Sequence, residues 1–173
     1  MPVQLRLLCP PPRRFTPAAG ITNSSFVPQP SFVKRQKVRG AKARGLSYQR
    51  KVGAYLQQLF GDRCKVGAWI RFYNSSGGHY CQPDAIITDH SRNQIIVVET
   101  KLKHTSDAWW QLRELYEPIT KHLFGSKIWR FAVCEIVKWF DPSSSFPEAI
   151  HMLPDPTKAR PDKFNVHICG RGL

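Results

Sequence analysis

The stretch QIIVVETKL, residues 94–102, constrains this chain more than any other. Ile95, Ile96, Val97 and Val98 form a β-branched run of the kind a pleated, buried strand favours. Glu99 and Lys101 then follow within the same strand. Side chains two apart in a strand share a face, so Ile95, Val97, Glu99 and Lys101 point one way. Ile96, Val98, Thr100 and Leu102 point the other. A carboxylate at the end of a buried strand is costly unless a cation or several hydrogen bonds satisfy it.

The neighbouring segments supply candidates. KVGAWIRFYN (65–74) reads as a strand, SSGG (75–78) as a turn and YCQPDAIITD (80–89) as a second strand. HSRN (90–93) connects it to 94–102, and the three strands are expected to form an antiparallel meander. That pairing brings Asp84, near the middle of its strand, toward Glu99. Pro83 has no N–H to give to a ladder, so an irregular or edge stretch is expected there. Two carboxylates and one ammonium then converge on one patch of sheet.

Helices are expected on both sides of this unit. The first runs from about Ser47, a plausible N-cap, to Phe60, with Gly61 ending it. Val52, Leu56 and Leu59/Phe60 mark its buried face, and Gln49 shares that face. The second spans about 106–124, opened by the capping groups of TSD (105–107), with Leu112, Leu115, Tyr116, Ile119 and Leu123 as its apolar stripe. Pro118 falls inside it and should kink or split it. KIWRFAVCEIVKWF (127–140) is apolar on both faces and reads as a central strand. A loop-rich stretch follows, then FNVHIC (164–169) as a last short strand. The order α-β-β-β-α-β predicts an α/β (α+β) fold, a mixed sheet flanked by helices.

The chain is strongly basic, with 26 Lys and Arg against 12 Asp and Glu and a net charge of +14. The excess is concentrated: residues 1–61 hold 11 basic residues and no acid, whereas the remainder has 15 basic and 12 acidic residues. A polyanion is the expected partner, DNA or RNA before an anionic membrane surface. No stretch approaches the ~20 apolar residues of a membrane span. Residues 1–44 read as a Pro-rich and basic N-terminal arm without fixed structure, either a solvated tail or a DNA-binding arm, and 45–173 as the folded domain. Lys34, Arg35, Lys37, Arg39, Lys42, Arg44, Arg50 and Lys51 are the candidates for phosphate contacts, which hold a backbone without reading its sequence. Neither a helix-turn-helix nor a zinc finger is visible to read a base sequence.

Five cysteines, none in a CxxC pair, read as reduced residues of an intracellular protein. His79 and Cys81, two apart, lack the second ligand pair of a zinc site. The start, MPVQLRLLCPPPRRF, has the arginines of an organelle transit peptide, but its prolines spoil the amphipathic helix, which leaves mitochondrial import as a minor alternative.

Asp84, Glu99 and Lys101 suit phosphodiester cleavage. Two carboxylates offer hard oxygen ligands to Mg2+, and the main-chain carbonyl of Thr100 can add a third. Lys101 can position or deprotonate an attacking water, or contact phosphate. Pro83-Asp84 with Glu99-Thr100-Lys101 resembles the PD-(D/E)XK nuclease superfamily, whose restriction-endonuclease-like core would cover about residues 45–138. The resemblance implies that Asp84 and Glu99 are metal ligands, that Lys101 is the catalytic lysine, and that the reaction is Mg2+- or Mn2+-dependent cleavage of DNA, less often RNA. Holliday-junction-resolvase-like members carry a glutamate on the first helix; Gln49 stands in the matching position and brings no charge. Lambda-exonuclease- and RecB-like members carry a Gln and a Tyr on the second helix, which Gln111 and Tyr116 match loosely. The branch stays open between these two. Lys103 and His104 could touch phosphate at the strand exit or stand as a solvated pair, and one of Trp109 and Trp110 could stack on an unpaired base while the other is buried. Resolvase-like members are often homodimers. The expected function is a metal-dependent DNA endonuclease of recombination or repair; the alternative is a nucleic-acid-binding protein that keeps the fold without the chemistry.

Overall fold

A computed structural model describes residues 18–33, 38–125 and 127–139, together with the backbone of 150–152 and 165–169. It is a mixed α+β structure with two sheets. The elements are β1 (Asn23–Val27), α1 (Gly40–Phe60), β2 (Cys64–Val66), β3 (Trp69–Asn74), β4 (Gly77–Cys81), β5 (Ala85–Asp89) and β6 (Gln94–Lys101). They are followed by α2 (Ser106–Trp110), a π-helical turn (Gln111–Tyr116), α3 (Glu117–Phe124), β7 (Arg130–Val137), β8 (Ile150–Met152) and β9 (Asn165–Cys169). Among the described residues, no helix is long and apolar enough to cross a membrane.

The larger sheet has the order β2-β5-β6-β7-β9-β8. β5 and β6 pair as the antiparallel hairpin expected from the polar 90–93 connection, and Asn93 takes a positive φ of 48° in that turn. β6 and β7 run parallel, because α2 to α3 carry the chain back across the sheet. β7 is central and buried from Ala132 to Val137, as its two-faced apolar sequence predicts.

The three-strand meander is corrected. The segment 65–74 divides at Gly67 (φ 59°), and 80–89 divides at Gln82–Asp84. β2 and β5 stay in the large sheet, while β3 and β4 form a hairpin in a second sheet of order β1-β3-β4. Strand β1 corrects the expectation of an unstructured arm over 1–44. Its five residues pair antiparallel with β3, and Ala18 is buried in the core. Helix α1 begins at Gly40 rather than Ser47, so the expected domain boundary falls inside it. Residues 1–17 and 34–37 lie outside the described residues.

Pro118 acts as its chemistry requires. It has no N–H to give the carbonyl of Glu114, four residues back. That carbonyl accepts from the backbone N–H of Ala18 at 2.9 Å instead. The helix widens into the π turn just before the proline, and Glu117 and Pro118 open α3. The break in the helix thus becomes the docking point of the N-terminal segment. Thr105 caps α2, its side chain accepting from the Ala108 N–H.

Apolar side chains pack on both faces of the large sheet. On one, Tyr48, Val52 and Leu56 of α1 cover Ala85, Ile87, Val98, Cys134 and Ile136. On the other, Ile86, Ile95, Val97 and Val133 meet Leu112, Tyr116 and Ile119, with Ile70, Phe72 and Cys81 from the second sheet. Cys64, Cys81 and Cys134 are buried and outside any disulfide, as expected of reduced core cysteines. Cys9 lies outside the described residues, as does the side chain of Cys169.

Candidate active site

The site lies where β5 begins and β6 ends. Ala85 pairs with Val98, so continuing the register by one residue sets Asp84 against Glu99. Asp84 is not in mid-strand as expected. It occupies the bend that follows Pro83, between strands of different sheets. A bend frees its side chain from strict alternation, and the carboxylate reaches groups on the α1 face of the sheet. Oδ2 accepts the Thr100 N–H at 2.6 Å and also the Thr100 hydroxyl. Oδ1 accepts from Gln49 Nε2 at 2.5 Å. Thr100, expected to lend its main-chain carbonyl, therefore donates twice to Asp84. Burial pushes the Asp84 carboxyl up, against the opposing pull of the Thr100 hydrogen bonds and the Lys101 charge.

Glu99 sits on the other face and is 5% exposed. Its Oε1 accepts from Lys101 Nζ at 2.7 Å, as their spacing of two in a strand predicts. Lys101 Nζ also donates to Gln111 Oε1 at 3.1 Å, so the π turn orients the ammonium. Glu99 Oε2 is buried without a hydrogen-bond partner. Burial and the Asp84 charge push the Glu99 carboxyl up to about 7, Glu135 adds to the rise, and Lys101 opposes it.

The expected single patch is thus only partly realised. Glu99 and Lys101 are in direct contact, and Asp84 is near enough for its charge to act on Glu99, yet the two carboxylates hold different partners. Gln49, read as an inward residue from its helical spacing with Val52 and Leu56, does reach the site. Gln111 reaches it as well. Tyr116 is a core residue whose hydroxyl donates to the Gln82 carbonyl at 3.2 Å, in the link between β4 and β5.

Lys103 is exposed, but His104 turns inward, and its Nδ1 lies 2.5 Å from Glu135 Oε2. His104 thus takes neither of its two expected places, against phosphate or in solvent. Glu135 is 1% exposed and pairs with Glu99 across β6 and β7. Sequence reasoning missed it. The signal was present, since Glu135 is the single acid within the apolar run of β7, the same anomaly that drew attention to Glu99. Trp110 is buried, and the Trp109 side chain lies outside the described residues. The His79 ring contacts the Ser76 hydroxyl at 2.8 Å and Asn74 Oδ1 at 3.1 Å, and burial holds the Cys81 thiol up at about 12.

Of the candidate phosphate contacts, Arg39, Lys42, Arg44, Arg50 and Lys51 are exposed, while Lys34, Arg35 and Lys37 lie outside the described residues. Lys42 precedes Gln49 by seven residues and so lies two turns away on the same helical face.

Among the described residues, no three His, Cys, Asp or Glu side chains form a group that could hold a metal. A zinc centre needs such a group. Mg2+ needs less, keeping several waters and using one or two carboxylates together with phosphate oxygens. Glu99 Oε2, buried without a partner, fits that lighter demand; both oxygens of Asp84, on the α1 face, are taken by Thr100 and Gln49. Comparisons with family models, curated proteins and solved structures find no match for this chain.

Proposed function

We propose that this chain is a Mg2+-dependent phosphodiesterase acting on DNA. In this reading it has a restriction-endonuclease-like core of the PD-(D/E)XK kind, and Asp84, Glu99 and Lys101 carry the reaction. The observation that carries the reading is the state of Glu99. It is a buried carboxylate that feels the charges of Asp84 and Glu135, with one oxygen on Lys101 and the other without a partner. Such a group is short of positive charge, and a divalent cation with open coordination positions supplies it. Mn2+ is the natural substitute.

When bound, Mg2+ supplies a Lewis acid that acidifies water and offsets charge on the phosphorane. Glu99 would hold it through Oε2, and Asp84 would join once its carboxylate turns from Thr100 and Gln49 toward the Glu99 face. Until it turns, Gln49 and Thr100 hold the Asp84 carboxylate on the α1 face. Lys101, held between Glu99 and Gln111, places its ammonium at the open end of the strand, where it can donate to a phosphate oxygen or orient a water. The exposed cations of α1 hold the backbone without reading bases, so DNA structure rather than sequence is the natural target. A structure-directed endonuclease of recombination or repair follows.

The test is cleavage of plasmid and four-way-junction DNA with Mg2+. Asp84→Ala and Lys101→Ala should each lose about a hundredfold or more of the rate. Equal activity in all three proteins sinks the proposal.

A second reading has its own observation, because the Gln49 amide occupies Asp84 Oδ1, where a charged ligand would add metal affinity. In that reading the chain binds nucleic acid without cutting it. It requires salt-sensitive DNA binding, no metal-dependent product, and no loss of binding in Asp84→Ala.

A further inference from the structure

The second sheet carries a feature the cleavage chemistry does not use. By strand alternation and register, its outward face presents Trp69, Arg71 and Tyr73 from β3, flanked by Tyr80 and Gly78 of β4 and by Ser25 and Val27 of β1. The opposite face, with Ile70, Phe72 and Cys81, is in the core. Arg71 is exposed and lies between two rings, its guanidinium 4.7 Å from the centre of Tyr73 and 5.6 Å from that of Tyr80. Tyr73 lies against Gly78, where a Cβ would come within 3.0 Å of the ring. Phe32, 64% exposed, packs edge-on against Tyr80 with ring centres 5.3 Å apart.

Charge points the same way. β1, β3 and β4 contain no acidic residue. At the foot of β3 an open cleft of about 450 Å³ is walled by Phe26 and Trp69 and lined by Gln57, Asp62 and Lys65. Lys65 stands over the Phe26 ring at 5.5 Å. Of these cation–π contacts, the two on the outward face share the single Arg71 guanidinium.

The sheet also leaves the main body beside the candidate active site. β3 and β4 are inserted between Val66 of β2 and Ala85 of β5, which pair with each other. The insertion is tied at its base by Gly67 N–H to the Asp84 carbonyl at 2.9 Å, and by Gln82 Nε2 to the Gly67 carbonyl at 2.8 Å.

We propose that the outward face of the β1-β3-β4 sheet binds single-stranded nucleic acid, with unpaired bases stacking on the exposed Tyr80 ring and on the Arg71 guanidinium, which the Tyr73 ring supports from beneath. Aromatic faces and guanidinium planes stack on any base, and the acid-free surface tolerates the phosphate backbone. The inference deepens the phosphodiesterase reading by naming unpaired segments as the target, but its binding step stands apart from cleavage.

The test is fluorescence anisotropy of the full chain with a labelled thymidine oligonucleotide and a matched duplex, in EDTA so that nothing is cut. Each stacked base is worth roughly five- to a hundredfold in affinity by alanine substitution. The double variant Tyr73→Ala/Tyr80→Ala should bind the oligonucleotide at least about tenfold more weakly and the duplex as before. Tyr73→Phe/Tyr80→Phe, which keeps the rings, should bind like the unaltered protein, separating lost stacking from lost fold. Undiminished oligonucleotide binding by the alanine variant, or equal weakening on oligonucleotide and duplex, overturns the proposal. So does an unaltered dimer that the alanine variant converts to monomer on sedimentation, since a second copy then covers the face. If ring-dependent binding is found and no protein cleaves DNA with Mg2+, the phosphodiesterase reading fails and this one stands.

Discussion

Glu99 and Glu135 face each other on the parallel strands β6 and β7, both buried, and each keeps one carboxylate oxygen without a hydrogen-bond partner. Lys101 satisfies one oxygen of the first and His104 one oxygen of the second. Asp84 stands at the next strand. Three carboxylates at one sheet end make negative charge the local problem this protein has to manage.

Stability should therefore fall as pH rises through the range in which Glu99 ionises. The unfolded carboxyl titrates near its ordinary 4.5 and the folded one at about 7. Below 4.5 both states hold the proton and nothing is lost. Between 4.5 and 7 the unfolded chain releases it first, so folding weakens, and above 7 the loss is complete at about 3 kcal/mol. Glu99→Gln should melt above the unaltered protein at pH 8, with the gap closing toward pH 4.5. Thermal melts across that range check it. A constant gap refutes the linkage.

The order of causes can be read residue by residue. Asp84 raises Glu99 more than Glu135 does. Asp84→Asn should then lower the Glu99 pKa further than Glu135→Gln, as followed by carboxyl carbon NMR titration. Because the Asp84 charge is removed while the side-chain shape is kept, the Thr100 hydroxyl can turn and remain bonded. The fold should survive with a loss of about 1–2 kcal/mol.

Deleting residues 1–33 should damage the fold. β1 supplies five paired residues to β3, Ala18 fills the core, and its N–H satisfies the Glu114 carbonyl that Pro118 leaves free. Without them β3 and β4 are a lone hairpin, which is marginal in water, and the Glu114 carbonyl loses its partner. A loss of about 2 kcal/mol or more in urea unfolding is expected. A truncated chain as stable as the whole returns this segment to the status of a tail.

Neutralising Lys42, Arg44, Arg50 and Lys51 together should weaken duplex binding at every sequence alike. If all four touch phosphate, the slope of log K against log salt becomes shallower by about 4. Affinity measured across a salt series gives the slope. An unchanged slope removes α1 from the path of the DNA.

Local periodicity carried much of this molecule. Alternation along 94–101 placed Glu99 beside Lys101, and helical spacing placed Gln49 on the face of Val52 and Leu56, because such relations are set by neighbours two to seven residues away. The break at Pro118 was legible for the same reason, since a missing N–H is a property of one residue. The pairing of Glu135 with His104 was not, because they are 31 residues apart and meet only once β7 lies beside β6.

The sequence by itself determined the strands β6 and β7, the turn between β5 and β6, the inward face of α1 and the acid-free basic N-terminal third. Each follows from side-chain chemistry and a period of 2 or 3.6 residues. Tertiary structure alone decided that β3 and β4 leave the main sheet to pair with β1, and that Asp84 turns from its strand to Thr100 and Gln49. Those outcomes depend on which distant surfaces bury one another, and burial is a property of the assembled core rather than of any one segment.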